Sequence, residues 1–216
     1  MSSRDYKQYC GLARALELVG ERWALLIIRD LSVHPRRYTD LLEGLPGIPT
    51  NVLSTRLKEL EQSGIIERRV APAPQRGVLY ALTPAGQALE PAILTLGRWG
   101  AAQLVDPQPG EIVTPESVTM TLRAVFNADA AAGLTASFEV HAGDMVLYLI
   151  VTDGKLDAGV GPVPGQPDLT ITFQPEPDGL PSYQALIQAA KCGFVQLDGP
   201  RDLLQTFLDV FTSPRP

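Results

Sequence analysis

The stretch that decides the fold of the first half is Thr50-Asn-Val-Leu-Ser-Thr-Arg-Leu-Lys-Glu-Leu-Glu-Gln-Ser-Gly64. Within it, Leu53, Leu57 and Leu60 recur at the spacing of one helical face. Gly64 is a C-terminal stop signal, because glycine readily adopts the left-handed conformation that ends helices. We therefore predict an amphipathic helix over residues 50–63.

Helical patterns precede this stretch, and two β-like runs follow it. The predicted helices cover residues 12–19, 23–31 and 39–45, and the predicted strands cover residues 65–70 and 78–82. Thr83-Pro84 then begins a long helix that is predicted to reach residue 104. This order is typical of a winged helix-turn-helix, in which the helix before the hairpin enters the major groove of DNA.

The polar face of the 50–63 helix carries the predicted contacts to DNA. Its outward-facing residues are Thr50, Asn51, Ser54, Thr55 and Lys58. Short hydrogen-bonding side chains and one cation suit base edges and phosphates. Arginines are predicted to contact DNA around this face: Arg76 in a minor groove, Arg36, Arg37, Arg68 and Arg69 on the backbone, and Arg56 on a phosphate. The alternative is an ordinary solvated helix face, which is what most amphipathic helices present.

Composition and charge indicate two domains with different roles. The chain has 216 residues, of which 45% are hydrophobic and 19% charged, so it can bury substantial cores. Residues 1–100 hold 13 Lys/Arg and 10 Asp/Glu, whereas residues 101–216 hold 5 and 14. The basic first half favours DNA even though the whole chain is acidic. We predict a DNA-binding and dimerisation domain at residues 1–105, a Pro- and Gly-rich linker at 106–113, and a second domain at 114–216.

The second domain has the pattern of an α+β fold. Thr114-Pro115-Glu116 opens a helix to about residue 126, and residues 134–141 alternate between apolar and polar positions. The remaining predicted strands cover residues 145–151, 155–160, 169–173 and 193–197, with helices near 182–190 and 200–211. We predict an antiparallel sheet with helices packed on it.

Several classes of protein are disfavoured by what the sequence lacks. His34 and His141 lie in no recognisable catalytic pattern, and Cys10 and Cys192 match no metal-ligand spacing. With no glycine-rich phosphate loop either, we expect neither an enzyme nor a bound metal or cofactor. The N-terminal residues lack the apolar core of a signal peptide, and the apolar run 146–151 is too short to span a bilayer. We expect a soluble cytoplasmic protein with no membrane partner.

Residues 9–99 resemble the HxlR-type winged-helix transcriptional regulators. The matching segments are residues 10–31, Arg37-Tyr-Thr-Asp-Leu-Leu42, residues 45–68 and Tyr80-Ala-Leu-Thr-Pro-Ala-Gly86. The resemblance implies a regulator that binds a palindromic operator in double-stranded DNA as a homodimer, with half-sites about 34 Å apart. The implied dimer interface is built from the N-terminal helix and the helix after the wing. The apolar faces at residues 12–19 and 89–104, including Ile93, Leu96 and Trp99, suit it, although each residue could instead belong to the core.

Two positions depart from the family pattern. Pro49 stands where a serine usually caps the recognition helix, and Cys10-Gly11 stands where family members often carry Cys-Pro. In some members that thiol senses oxidants or electrophiles, so the resemblance implies redox sensing by Cys10. Sensing requires a lowered thiol pKa, for which the helix N-terminus, Lys7 and Arg14 are candidate causes. The alternative is a plain buried cysteine.

Residues 112–212 resemble the sterol carrier protein type 2-like fold. The resemblance rests on Pro167-Asp-Leu-Thr-Ile-Thr-Phe173, the helix after it, and the segment 193–211. It implies that an apolar effector binds between sheet and helices. The predicted lining residues are Phe126, Phe138, Leu147, Leu149, Phe173, Leu186, Phe207 and Phe211. Each of them could equally be ordinary core.

The sequence as a whole predicts a dimeric DNA-binding transcriptional regulator with a C-terminal effector or protein-contact domain. The rival hypothesis is a carrier of lipids or other apolar ligands whose winged helix serves mainly dimerisation. Salt dependence of DNA binding separates the two, because phosphate contacts release counterions.

Overall fold

The computed structural model describes residues 5–72, 76–104, 111–173, 188–190, 192 and 195–211. The chain divides into two compact units, Met1–Ile93 and Leu94–Pro216. The boundary falls before the predicted linker at 106–113, of which residues 106–110 lie outside the described residues.

The first unit has the element order of a winged helix-turn-helix. Its elements are α1 (Gly11–Val19), α2 (Ala24–Val33), α3 (Tyr38–Gly44), α4 (Thr50–Gln62), β1 (Ile66–Val70), β2 (Val78–Leu82) and α5 (Pro84–Gln87), and α6 (Glu90–Ala101) crosses the boundary. The predicted fold of this half is confirmed, and the predicted helix ends are within two residues of the observed ones for α1 to α4.

Buried leucines of α4 anchor that helix to its neighbours. Leu53, Leu57 and Leu60 are 0–2% exposed and pack with Ile27, Ile28 and Leu41 of the preceding helices. Burying one such side chain contributes about 1.5–3 kcal/mol, so the apolar face fixes which side of α4 remains in solvent.

The segment predicted as one helix over residues 84–104 forms two helices, α5 and α6. It breaks at Ala88 and Leu89 and resumes as α6 at Glu90. Pro91 accounts for the break, because its ring clashes with the carbonyl of the residue four positions earlier and it lacks an N–H to donate. Proline is tolerated in a first turn, so α6 can begin there. Leu89 and Ile93 then pack against the first unit's core.

The wing is an antiparallel hairpin that is joined to the rest of the unit by one further pairing. Ile66 of β1 lies opposite Leu82 of β2, and the register continues to Val70 opposite Val78. Arg36, in the connection between α2 and α3, forms an antiparallel bridge with Tyr80 of β2.

The second unit is an α+β arrangement around a five-stranded sheet. Its elements are α7 (Pro115–Val125), β3 (Thr135–Ala142), β4 (Met145–Thr152), β5 (Lys155–Val160), β6 (Leu169–Phe173), β7 (Val195–Asp198) and α8 (Asp202–Phe211). The strand order is β5-β4-β3-β6-β7. Residues 188–190 are helical, and the rest of the helix predicted near 182–190 lies outside the described residues.

The prediction of an antiparallel sheet is wrong at one pair of strands, because β3 and β6 are parallel. After β5, residues 161–168 cross the sheet instead of turning back beside it. The Val163 N–H donates to Glu139 Oε2 of β3 at 2.7 Å, and the Asp168 N–H donates to the Ser137 carbonyl at 3.0 Å. The chain therefore enters β6 at the start of β3 and runs in the same direction.

One face of the sheet forms the second core. Alternate residues of β3 and β4, among them Phe138, Leu147 and Leu149, are fully buried against α7 and α8. Phe126, Phe138, Phe207 and Phe211 form an aromatic cluster with ring centroids 5.0–6.3 Å apart. All of the predicted pocket residues that the structure describes lie in or against this core, and Leu186 is outside the described residues.

Gly159 allows an aromatic side chain to cover the edge of this sheet. A Cβ at position 159 would stand 2.6–2.7 Å from ring and hydroxyl atoms of Tyr148, so only glycine leaves room for that ring. Tyr148 lies opposite Gly159 in the β4–β5 register.

Among the described residues, no helix has both the length and the apolar composition that crossing a membrane requires.

Candidate nucleic-acid interface

The solvent side of α4 carries the hydrogen-bonding residues that the sequence assigned to it. Thr50, Asn51, Ser54, Thr55 and Lys58 are all exposed, on the side opposite the three buried leucines. The helix is therefore rigidly held on one side and presents three hydroxyls, one amide and one ammonium on the other.

Hydroxyl groups organise the first turns of α4. Pro49 is the N-cap and supplies no side-chain hydrogen bond. The Ser54 hydroxyl donates to the Thr50 carbonyl at 2.9 Å, and the Thr55 hydroxyl donates to the Asn51 carbonyl at 2.8 Å. With their protons engaged inward, both oxygens present lone pairs to solvent, which suits acceptance from the amino groups of adenine or cytosine.

Tyr38 is a residue of this interface that the sequence did not single out. Its hydroxyl donates to the Thr50 carbonyl at 2.9 Å and lies 3.3 Å from Ser54 Oγ. The contact joins α3 to the N-terminal end of α4, across twelve residues of sequence. No periodicity or spacing signals such a contact, because it depends on the angle between the two helices.

Arg76 and Gly77 open the second half of the wing, and Arg37 lies close to Gly77. Arg76 is exposed beside Gly77, whose φ of +116° is favourable only for glycine. Arg37 Nη1 lies 3.6 Å from the position that a Cβ on Gly77 would take. Arg37, which immediately precedes α3, thus lies close to the residue that follows Arg76 in the wing.

Arg68 and Arg69 lie on the wing with half of each side chain exposed. Arg68 pairs with Glu61 at 2.9 Å and lies over the Tyr80 ring at 5.8 Å, while Arg69 pairs with Glu67 at 2.7 Å. Exposed pairs of this kind contribute roughly 0–1 kcal/mol, so a phosphate can replace the carboxylate at little cost.

Arg36 and Arg56 point inward. Arg56 is 14% exposed and ion-paired with both Glu21 and Glu59, which does not fit the expected phosphate contact. Arg36 is 11% exposed beside the fully buried carboxylate of Asp30, which does not fit a backbone contact. The sequence predicts DNA contacts for both arginines because charge alone does not reveal which way a side chain points.

Cys10 lies at the N-cap of α1 and is exposed, so the alternative of a buried cysteine is wrong. The pKa of its thiol is lowered from the ordinary value, mainly because the backbone N–H of Ala13, and next that of Leu12, stabilises the thiolate. Arg14, a candidate cause from the sequence, instead pairs with Glu17 at 2.9 Å. The helix N-terminus is therefore the origin of the shift.

Apolar side chains are exposed on both helices that the family resemblance assigns to dimerisation. Leu12 and Leu16 of α1 are 68% and 41% exposed, and Leu96 and Trp99 of α6 are 50% and 67% exposed. For these four residues the alternative of intramolecular core is wrong.

Comparison with known proteins assigns the first unit to a family. Residues 18–108 match the HxlR-like helix-turn-helix family. The chain is 40% identical over 102 residues to the HTH-type transcriptional regulator YodB of Bacillus subtilis (strain 168). The aligned region covers 47% of this chain and 88% of YodB. The chain belongs to the HxlR-like helix-turn-helix family.

Further relatives match the same region of this HxlR-like chain. It is 35% identical over 94 residues to YvaP of B. subtilis (strain 168), an uncharacterized HTH-type transcriptional regulator. That alignment covers 44% of this chain and 86% of YvaP. A solved structure, the reduced form of YodB, is 38% identical with a TM-score of 0.39 and covers 47% of this chain and 99% of that one. The family match ends at residue 108, before α7 begins.

Proposed function

We propose that this protein is a DNA-binding transcriptional regulator whose α4 lies in the major groove of its operator. The observation that carries the proposal is the exposed face of α4, where five hydrogen-bonding side chains stand on a helix anchored by three buried leucines. YodB and YvaP, with which the first unit shares its family, are both named HTH-type transcriptional regulators.

Each side chain of the interface has a role that follows from its chemistry. Asn51 suits bidentate hydrogen bonding to adenine, and Ser54 and Thr55 suit acceptance from base amino groups. Lys58, Arg37 and Arg76 are positively charged and suit contacts to phosphates. Arg76 also suits insertion into a minor groove. Thr50 lies where the N-terminal turn of a recognition helix approaches the bases most closely.

The active form is proposed to be a homodimer on a palindromic operator. The exposed apolar residues of α1 and α6 support it, because four large apolar side chains exposed on two helices suit burial against a second copy. Two recognition helices related by a two-fold axis read half-sites about 34 Å apart.

The second unit is proposed to bind an apolar effector or another protein. The sterol-carrier-like resemblance motivates this role, and the predicted lining residues that the structure describes lie in or against one apolar core. Cys10 offers a separate input, because an exposed thiol of lowered pKa reacts readily with oxidants and electrophiles. Either input regulates DNA affinity only if it favours one of two conformations.

The rival function is an apolar-ligand carrier that uses the winged helix only to dimerise. The hydroxyls and amide of α4, together with the exposed cations Lys58 and Arg76, favour DNA over this rival, because such a set of side chains suits base edges and phosphates.

Salt-dependent DNA binding tests the choice between the two. Fluorescence anisotropy with a labelled random-sequence duplex measures the DNA affinity, and a duplex of about 30 base pairs is long enough for two half-sites. A regulator loses affinity steeply between about 50 and 200 mM salt, whereas a carrier binds weakly at every salt concentration. Native mass spectrometry of the same preparation reports the dimer and any co-purified apolar molecule, and a bare monomer contradicts the palindromic-operator arrangement.

A further inference from the structure

Asp30 is a buried charge that the proposed DNA contacts do not use. Its side chain on α2 has no solvent exposure. Arg29 Nε donates to Asp30 Oδ1 at 2.8 Å, and Arg36 Nη1 lies 3.8 Å from Asp30 Oδ2. A buried carboxylate needs cations or hydrogen bonds to compensate its lost hydration, and the guanidinium groups of Arg29 and Arg36 lie where they supply that compensation.

Arg36 links this carboxylate to the wing. Its backbone N–H donates to the Tyr80 carbonyl at 2.9 Å, and its carbonyl accepts from the Tyr80 N–H at 2.7 Å. Tyr80 lies in β2, two residues from the first residue of that strand at the wing tip. One residue therefore pairs with the wing through its backbone and with α2 through its side chain.

The end of α3 is built around the same pair. A Cβ on Gly44 would stand 3.1 Å from Arg36 Nη1 and 3.2 Å from Asp30 Oδ2. Gly44 is itself buried, and its missing side chain leaves the space that the two charged groups occupy. The pair thus lies where α2, α3 and the strand-forming segment before α3 converge.

We propose that Asp30 is a positioning residue for DNA binding, which fixes the wing relative to the helix-turn-helix through Arg36. Asp30 cannot touch DNA, because it is fully buried. Its carboxylate holds the Arg36 side chain, the Arg36 backbone holds β2, and β2 leads to the wing tip with Arg76. The inference rests on the proposed function, since it concerns the geometry of that DNA interface.

The test is a double-variant cycle on DNA affinity in the full-length protein. Arg76→Ala probes the wing and Lys58→Ala probes α4, each in the wild type and in Asp30→Asn, with a random-sequence duplex at low salt. In the wild type each alanine variant weakens binding about tenfold and lowers the salt slope by about one. In Asp30→Asn the effect of Arg76→Ala falls below about twofold, because the wing is already displaced, while Lys58→Ala keeps its full effect.

A purely structural role for Asp30 does not produce this pattern. Partial unfolding lowers the active fraction equally for every variant and leaves the ratios between variants unchanged. Glu61→Gln is the matched control, because it removes a partly exposed carboxylate that pairs with Arg68 of the wing. In that background both alanine variants keep their wild-type effects.

The two possible failures are distinguishable. If the wild type shows no salt-dependent binding, or if neither alanine variant weakens it, the proposed function is overturned and this inference with it. If both variants weaken the wild type but Arg76→Ala keeps its full effect in Asp30→Asn, only the role of Asp30 is overturned. Should Asp30→Asn not fold by circular dichroism, Gly44→Ala takes its place. That variant keeps both charges but crowds them, and the same selective loss decides the outcome.

Discussion

The Tyr38 hydroxyl donates a hydrogen bond to the Thr50 carbonyl over 2.9 Å and so joins the first turn of α3 to the first turn of α4. Because the Pro49 side chain makes no capping hydrogen bond, this contact is a side-chain hydrogen bond at the end of α4 that we propose faces the bases. The orientation of the recognition helix thus depends on a residue of the preceding helix.

Removing that hydroxyl should weaken specific DNA binding. Tyr38→Phe loses one hydrogen bond, worth about 1 kcal/mol, and loosens the N-terminal turn of α4. We expect operator affinity to fall several-fold by anisotropy, with a thermal midpoint only slightly lower. Tyr9→Phe is the control, because Tyr9 is fully exposed. Equal operator affinities for Tyr38→Phe and the wild type would show that the contact is dispensable.

Side chains on the exposed face of α4 should control sequence preference. Asn51→Ala and Thr55→Ala remove groups that we propose contact base edges, so each is expected to cost about 1–3 kcal/mol at the operator and little on random DNA. Gln62→Ala, at the C-terminal end of the same helix, should change neither affinity. Parallel titrations of operator and random duplex measure the difference. A uniform loss on both duplexes would place these residues on the backbone instead.

The Cys10 thiol should react as a thiolate at lower pH than a free cysteine. The backbone N–H groups of Ala13 and Leu12 at the start of α1 lower its pKa, so the thiolate is populated at lower pH than in a free cysteine. In a Cys192→Ser background, the alkylation rate against pH should have its midpoint below the ordinary thiol value of about 8.5. The Cys10→Ser/Cys192→Ser protein gives the background rate. A midpoint at or above the ordinary value would remove the basis for sensing.

Acid should weaken the second unit partly through Glu139. His141 Nε2, 2.7 Å from Glu139 Oε1, lowers the pKa of this carboxyl, and the Val163 N–H adds to the effect. A folded-state pKa below the unfolded value means that the ionised carboxylate stabilises the fold above the unfolded pKa. That contribution is lost as pH falls through the folded pKa.

Denaturant unfolding followed by amide signals of β3 and β4 tests this effect. The stability difference between the wild type and Glu139→Gln should shrink as pH falls from about 6 to 3. Asp144→Asn, an exposed change at the β3–β4 turn, should show no such trend. A difference between wild type and Glu139→Gln that stays constant over this range would contradict the assignment.

The fold of the first unit could be predicted because its decisive signals are local. Leu53, Leu57 and Leu60 reveal the buried face of α4 by spacing alone, and the exposed residues follow from it. The break between α5 and α6 was also predictable from Pro91, because the effect of a proline on a helix is local.

The remaining features depend on contacts between distant segments. Nothing near Arg36 in sequence indicates that it pairs with Tyr80 and with buried Asp30 instead of facing DNA. The parallel pairing of β3 and β6 likewise arises because residues 161–168 cross the sheet, which a strand pattern does not reveal.

The central claim, that this HxlR-like protein reads a DNA sequence, is tested most directly by selection from a random duplex library. Purified full-length protein should enrich an inverted repeat whose half-sites are centred about 34 Å, one helical turn, apart. The Asn51→Ala protein should enrich it less sharply. A wild-type protein that is folded and dimeric but enriches no sequence above a protein-free control would contradict the account.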